Sequence, residues 1–131
     1  MSARIIVCGS RTWDDFDTVA VELRLLADRW RHDSSGLPRD VTIVHGACPT
    51  GADKLADDWC AKAGIAKVER HPADWDSHGK GAGFVRNRKM AELGAVLCLA
   101  FWDGVSKGTL DMITQATRRG IPVRIVPKGT R

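Results

Sequence analysis

A chain of 131 residues, 44% hydrophobic and 27% charged, can bury a core of its own, so it needs no disulfide or metal staple and is too apolar for a disordered tail. The net charge of +4 suits an anionic ligand, but much of it sits in Arg118, Arg119, Arg124, Lys128 and Arg131, where a solvated basic face explains it. No apolar run approaches the length of a membrane span and no leader pattern is present, while Cys8, Cys48, Cys60 and Cys98 form neither a CxxC pair nor a metal-finger spacing. A cytoplasmic protein in a reducing setting is expected, with no membrane partner, no metal and no cofactor.

The first element is a buried strand, Arg4 to Cys8, a β-branched run broken at Gly9. Asp14 or Asp15 then caps a helix whose apolar stripe is Phe16, Val19, Ala20, Leu23, Leu26, Ala27 and Trp30. After the turn-rich stretch 32–40, Val41 to His45 is a second strand, broken at Gly46. A second helix follows Gly51, with Ala52, Leu55, Ala56, Trp59, Cys60 and Ala63 on its apolar side and Gly64 as its stop. Ile65 to Arg70 reads as a weaker third strand and 71–83 as a long loop. A helix is expected from Phe84 to Leu93, a strand from Ala95 to Trp102, a helix from Thr109 to Arg119 and a last strand from Pro122 to Val126. Strictly alternating strands and helices predict an α/β fold: one Rossmann-like, three-layer domain over residues 1–131, built on a parallel sheet of about five strands.

In such a sheet, ligands bind beyond the carboxyl ends of the strands, where the strand order reverses. Three strands here run into glycine-bearing loops that lead to helices: CGSRTW at 8–13, HGACPTGAD at 45–53 and WDGVSKGT at 102–109. Glycine lets the backbone approach a ligand, and a helix start offers free N–H groups with a partial positive charge, so each loop can hold an anion. The first and third loops are expected to flank the switch point. Gly9, Ser10, Arg11, Asp103, Gly104, Ser106, Lys107, Gly108 and Thr109 would then share one crevice, with hydroxyls and cations for a phosphate. The second loop adds Gly46, Ala47, Gly51 and Asp53; Asp53 can accept a ribose hydroxyl or brace a helix start. Neither GxxxxGK[ST] nor GxGxxG occurs, which disfavours a P-loop ATPase and a nicotinamide dehydrogenase.

Arg86 falls on the core-facing stripe of its helix, one turn before Met90, and a buried charge there needs an anionic partner, either a ligand or a carboxylate of the chain. Asn87 sits beside it in the first turn. Trp13, Trp75 and Trp102 lie in or next to the loops, where an indole serves either to stack on a base or to roof the core. His71, Asp74, Asp76 and His78 have no familiar metal-site spacing, and no Ser/His/Asp or Cys/His triad can be assembled.

The segments GSR at 9–11, HGACPTGAD at 45–53, PADWDSHGKGAGFVRNRKM at 72–90 and FWDGVSKGT at 101–109 resemble, in order, the YspA/YpsA-related branch of the SLOG superfamily. The resemblance implies a Rossmann-like fold that binds nucleotides or nucleotide-derived signals, in a branch common in phages and mobile elements, and it points to a homodimer. The superfamily also holds the lonely-guy phosphoribohydrolases, whose motif joins an arginine–lysine pair to PGGxGTxxE. Arg88 and Lys89, or Arg86, resemble the first part, and Gly108 and Thr109 resemble the GT. Asp103, Gly104 and Val105 replace the lead-in, and Met112 stands at the position of the glutamate, where a thioether can neither stabilise an oxocarbenium-like cation nor carry a proton.

Three functions follow, in this order. The first is a module that senses or sequesters a nucleotide or nucleotide-derived, phosphate-bearing small molecule. The second is a nucleotide N-glycosidase of the phosphoribohydrolase type, with Arg86 and one of Asp53, Asp103 or Asp111 as its catalytic candidates. The third is single-stranded nucleic-acid binding, which the basic balance and loop tryptophans allow.

Overall fold

Ile5, Val7, Ile43, Leu99 and Phe101 turn to one face of a sheet, and Ile6, Cys8, Val44, Cys98 and Ala100 turn to the other; all are buried. This two-residue alternation with both faces apolar is what a sheet covered by helices on both sides requires. The computed structural model describes residues 2–129, and Arg131 lies outside them. The strands are β1 (Ser2–Gly9), β2 (Asp40–His45), β3 (Lys67–Arg70), β4 (Leu97–Trp102) and β5 (Val123–Pro127), all parallel, in the spatial order β3-β2-β1-β4-β5.

Helices α1 (Phe16–Trp30) and α2 (Ala52–Ala63) cover the first face. Asp15 caps α1 by accepting the Thr18 N–H at 3.0 Å, and Val19, Leu23, Leu26 and Ala27 face inward, as the stripe predicts. Helix α2 ends where Gly64 takes φ +66°, the left-handed stop that an L side chain resists. Helices α4 (Ala82–Glu92) and α5 (Lys107–Arg118) cover the second face through Met90, Ala91, Met112 and Ala116. No helix among the described residues is long and apolar enough to cross a membrane.

Several ends shift by one or two residues from the sequence reading (β3 begins at Lys67, not Ile65, and β4 at Leu97, not Ala95), and two differences bear on the site. The stretch 71–83 is not an irregular loop: Trp75–His78 forms a short helix, α3, followed by a 3-10 turn at Gly79–Gly81 and the start of α4 at Ala82. Asp74 caps α3 by accepting the Ser77 N–H at 3.1 Å, so the Asp-x-x-Ser spacing, not the glycine content, decided the local fold. Helix α5 starts at Lys107 instead of Thr109, because Ser106 is its cap and accepts the Thr109 N–H at 3.3 Å.

The order 3-2-1-4-5 puts the switch point between β1 and β4. The chain leaves β1 for α1 on one face and leaves β4 for α5 on the other. Diverging connections open a crevice at the carboxyl ends of these two strands.

A candidate anion-binding crevice at the strand switch point

That crevice has a volume of about 380 Å³. Its floor is Val7, Cys8 and Met90, and the β1 loop adds Gly9, Ser10, Arg11 and Thr12. The loop after β2 brings Gly46, Cys48 and Asp53. Helix α4 and the segment before it bring Trp75, Lys80, Gly83, Phe84, Arg86 and Asn87. The loop after β4 brings Asp103, Ser106, Gly108 and Thr109. Three glycine loops from separate parts of the chain thus border one volume.

Close backbone packing holds the first two loops together. Ser10 O accepts the N–H groups of Trp13 and Ala52, both at 3.2 Å. Gly51 sits directly against Ser10 and Arg11 with φ +81°, and a Cβ there would come under 3.0 Å from their backbone. Gly51 is therefore a packing residue beneath the crevice and does not line it. Ala47 does not line it either. It holds φ 57° with its N–H on His45 Nδ1 at 2.9 Å, so the His45 proton is on Nε2, 2.7 Å from Asp57. Asp57 also takes Arg70 Nε at 2.7 Å; that bond, then His45, keeps its carboxyl below the ordinary range.

Arg86 reaches the crevice from α4. Its Nε donates to Asn87 Oδ1 at 2.9 Å, and its Nη1 to Gly46 O at 2.5 Å and His71 O at 3.4 Å. All three acceptors are neutral. Among the described residues no carboxylate lies within 4.0 Å, and Nη2 has no hydrogen-bond partner. A structural salt bridge, one of the two partners the sequence allowed, is absent from this group. Glu69 pairs with Arg4 and His71, and Asp57 with Arg70 and His45, while Asp53 lines the same crevice as Arg86 without an ion pair to it.

The third loop is a preformed cradle. Asp103 accepts the N–H groups of Val105 and Ser106 at 2.8 Å each. The Ser106 amide, then the Val105 amide and the Ser10 hydroxyl, hold its carboxyl below the ordinary range. The amides of Lys107 and Gly108, first in α5, have no partner among the described residues. Gly108 lines the crevice, and a Cβ there would meet nothing within 4 Å. Ser10 lines the same space, with its hydroxyl beneath the surface. It is buried and completes no hydrogen bond of normal geometry among the described residues, although it lies near enough to Asp103 to influence it.

The remaining expectations divide. Asp53 is buried in the crevice wall, with one oxygen bracing the Cys48 N–H at 3.3 Å. Asn87 lines the crevice but spends both amide hydrogens on Gly108 O and Asp111 Oδ2, at 3.1 Å each, tying α4 to α5. Asp111 is thereby held outside the crevice, as are Gly104 and the exposed Lys107. Met112 is fully buried among Ile6, Val44, Met90 and Ala100, beneath the site and not in it. Trp13 packs on Phe101, ring centroids 5.4 Å apart, and Trp102 donates its N–H to Ser106 O at 3.1 Å, so both are structural. Trp75 remains half-exposed at the crevice.

Sequence reasoning missed Val7, Cys8, Thr12, Cys48, Lys80, Gly83, Phe84 and Met90 in the lining. The Asp74–Ser77 cap would have exposed α3 and hence the wall carrying Lys80 to Phe84. The two lining cysteines are not poised nucleophiles. The Cys98 thiol, 3.9 Å away, together with burial, pushes Cys8 well up, and burial pushes Cys48 up, so both stay protonated near neutral pH. Of the metal-like cluster, His71 pairs with Glu69 at 2.6 Å and Asp74 caps α3. No group of three or more His, Cys, Asp or Glu suited to a metal lies among the described residues.

Comparison with known proteins bears on the loops just described. The YspA, cpYpsA-related SLOG family matches residues 3–78, which carry the first two loops and Trp75. The Gene 61 protein of Mycobacterium phage D29 is 41% identical over 124 residues, covering 92% of this chain and 93% of that protein. Among solved structures, the C-terminal domain of a hydrogenase from Pyrococcus furiosus overlaps with a TM-score of 0.48 at 16% identity, over 94% of this chain and 89% of that one.

Proposed function

The chain belongs to the YspA, cpYpsA-related SLOG family, and from that premise we propose that its crevice binds a nucleotide or nucleotide-derived small molecule by its phosphate, as a sensing or sequestering module. The observation that carries this is the unmatched cation. Arg86 is held by neutral acceptors alone, with a free Nη2 at a crevice that is also lined by Gly108, whose amide is unpaired among the described residues, and by Ser10. A half-buried guanidinium with no counter-ion within 4.0 Å among the described residues is suited to an anion, and a phosphate can answer it together with the helix-start amide.

Binding is favoured over glycosidic hydrolysis by the carboxylates. Met112 lies in the core and Asp111 is held by Asn87, while Asp53 and Asp103 each brace backbone N–H groups. A hydrolase needs a carboxylate at the sugar, free to take or stabilise charge.

The test is a thermal-shift screen against nucleoside monophosphates, ADP-ribose, NAD, cyclic nucleotides and short single-stranded oligonucleotides, with products checked by chromatography. A ligand at a hundred times its Kd stabilises the fold by about 2.7 kcal/mol. A nucleotide that stabilises and is recovered intact supports the sensing or sequestering module. One that loses its base makes the protein a hydrolase, and stabilisation by no nucleotide overturns the reading.

A further inference from the structure

Of the five tryptophans, Trp13 and Trp59 are buried at 4% and 5% exposure, Trp102 is tied to Ser106 O, and Trp30 lies under Arg29 and Arg39. Trp75 differs from all of them. It lines the crevice and leaves 50% of its surface in water, although the short helix that carries it is capped and ordered by Asp74. Phe84, 48% exposed, lines the same wall. Two aromatic rings left open to one crevice forgo a hydrophobic stabilisation that burial would give them.

We propose that the Trp75 ring, with Phe84 beside it, is the platform on which the heterocycle of a nucleotide stacks, so that the crevice selects nucleotides over bare ribose phosphates. This rests on the crevice being the nucleotide site. The Arg11 guanidinium lies over the Trp75 ring, 5.9 Å from its centroid, a flat cation in the place that a stacked base would take. The ring edge is also placed with respect to the anion donor. A Cβ on Gly83 would stand 3.8 Å from Trp75 and 3.7 Å from Arg86 Nη2, so the indole and the free guanidinium nitrogen border the same gap. One ribose phosphate can span from a base on the indole to an anion on Arg86. Glycine at 83 keeps that gap open.

The experiment is calorimetric titration of wild type, Trp75→Ala and Trp75→Phe with AMP, GMP, CMP, UMP, ADP-ribose and ribose 5-phosphate, after thermal melts show that all three fold. The expected result is a wild type that binds at least one nucleotide about tenfold or more tighter than ribose 5-phosphate, the size of one base–aromatic stack. Trp75→Ala then loses that preference with its ribose 5-phosphate affinity unchanged, and Trp75→Phe keeps most of it. Equal wild-type affinity for nucleotides and ribose 5-phosphate overturns the platform while phosphate binding stands. So does a Trp75→Ala variant that retains the preference, or that weakens both ligands alike. A wild type that binds none of the panel overturns the nucleotide reading and the platform with it.

Discussion

Arg86 occupies the volume that a side chain at residue 46 would need: a Cβ on Gly46 would come under 3.0 Å from both Nη1 and Cζ of the guanidinium. Glycine at the end of β2 is therefore a condition for seating the cation, which in turn donates back to Gly46 O. Gly46→Ala is expected to push the guanidinium out of place and weaken nucleotide binding about tenfold or more, the worth of a charge-assisted hydrogen bond. Arg86→Ala should abolish binding while the protein stays folded, at a cost of about 1–3 kcal/mol for the acceptors left unpaired. Calorimetry and thermal melts on both variants check this; undiminished affinity in both removes Arg86 from the site.

Gly108 tests the opposite side of the crevice. Its missing side chain faces open space, so Gly108→Val should fold, with a melting temperature within a few degrees of wild type. The added branch would occupy the volume in front of the α5 amides, and binding of every phosphate-bearing ligand should be lost. A valine variant that binds as wild type places the phosphate elsewhere.

Ser10 makes a sharper distinction between fold and function. Its buried hydroxyl completes no hydrogen bond of normal geometry among the described residues, so Ser10→Ala should leave stability within about 1 kcal/mol of wild type or raise it. The same variant should lower ligand affinity several-fold. A large loss of stability without loss of affinity would mean that the hydroxyl serves the fold, through Asp103.

Met112→Glu would place a glutamate where the phosphoribohydrolase motif has one. Met112 is fully buried among Ile6, Val44 and Met90, so the carboxylate would be desolvated in an apolar core. The variant is expected to lose several kcal/mol of stability and gain no base-releasing activity. Chromatography of AMP incubated with a folded variant, and a denaturant melt, read both outcomes.

Acid should loosen the second loop. Arg70, then His45, lowers Asp57, and Arg4, then His71, lowers Glu69. Each carboxylate has a folded pKa below its unfolded value, so each contributes stability that is fully present above the unfolded value, about 4, and is lost as pH falls through the folded value. Asp57→Asn should cost about 1–3 kcal/mol at pH 7 and flatten that acid limb. Melts of wild type and variant between pH 7 and about 3 decide it; parallel curves would mean that Asp57 has no share in the acid loss.

The alternation of buried strands and one-sided helices was legible because it depends on local period: Ile5 to Cys8, Val41 to His45 and the α1 stripe need no distant partner to be recognised. The three glycine loops were legible for the same reason, and so was Arg86, an arginine out of place on an apolar stripe. What tertiary structure alone decided is which of these residues meet. Gly9, Gly46 and Gly51 are glycines because Phe101, Arg86 and Ser10 press against them from 92, 40 and 41 positions away in the chain, and no local pattern announces such an approach. Asp111 and Met112 looked like neighbours of the site, yet the rotation of about 100° between adjacent residues of α5 sends the first to Asn87 and the second into the core. Trp13 and Trp75 looked alike as loop tryptophans; only the sheet's packing buried one on Phe101 and left the other at the crevice. Period and residue chemistry settle which elements form, whereas the site depends on contacts between segments that only the folded sheet brings together.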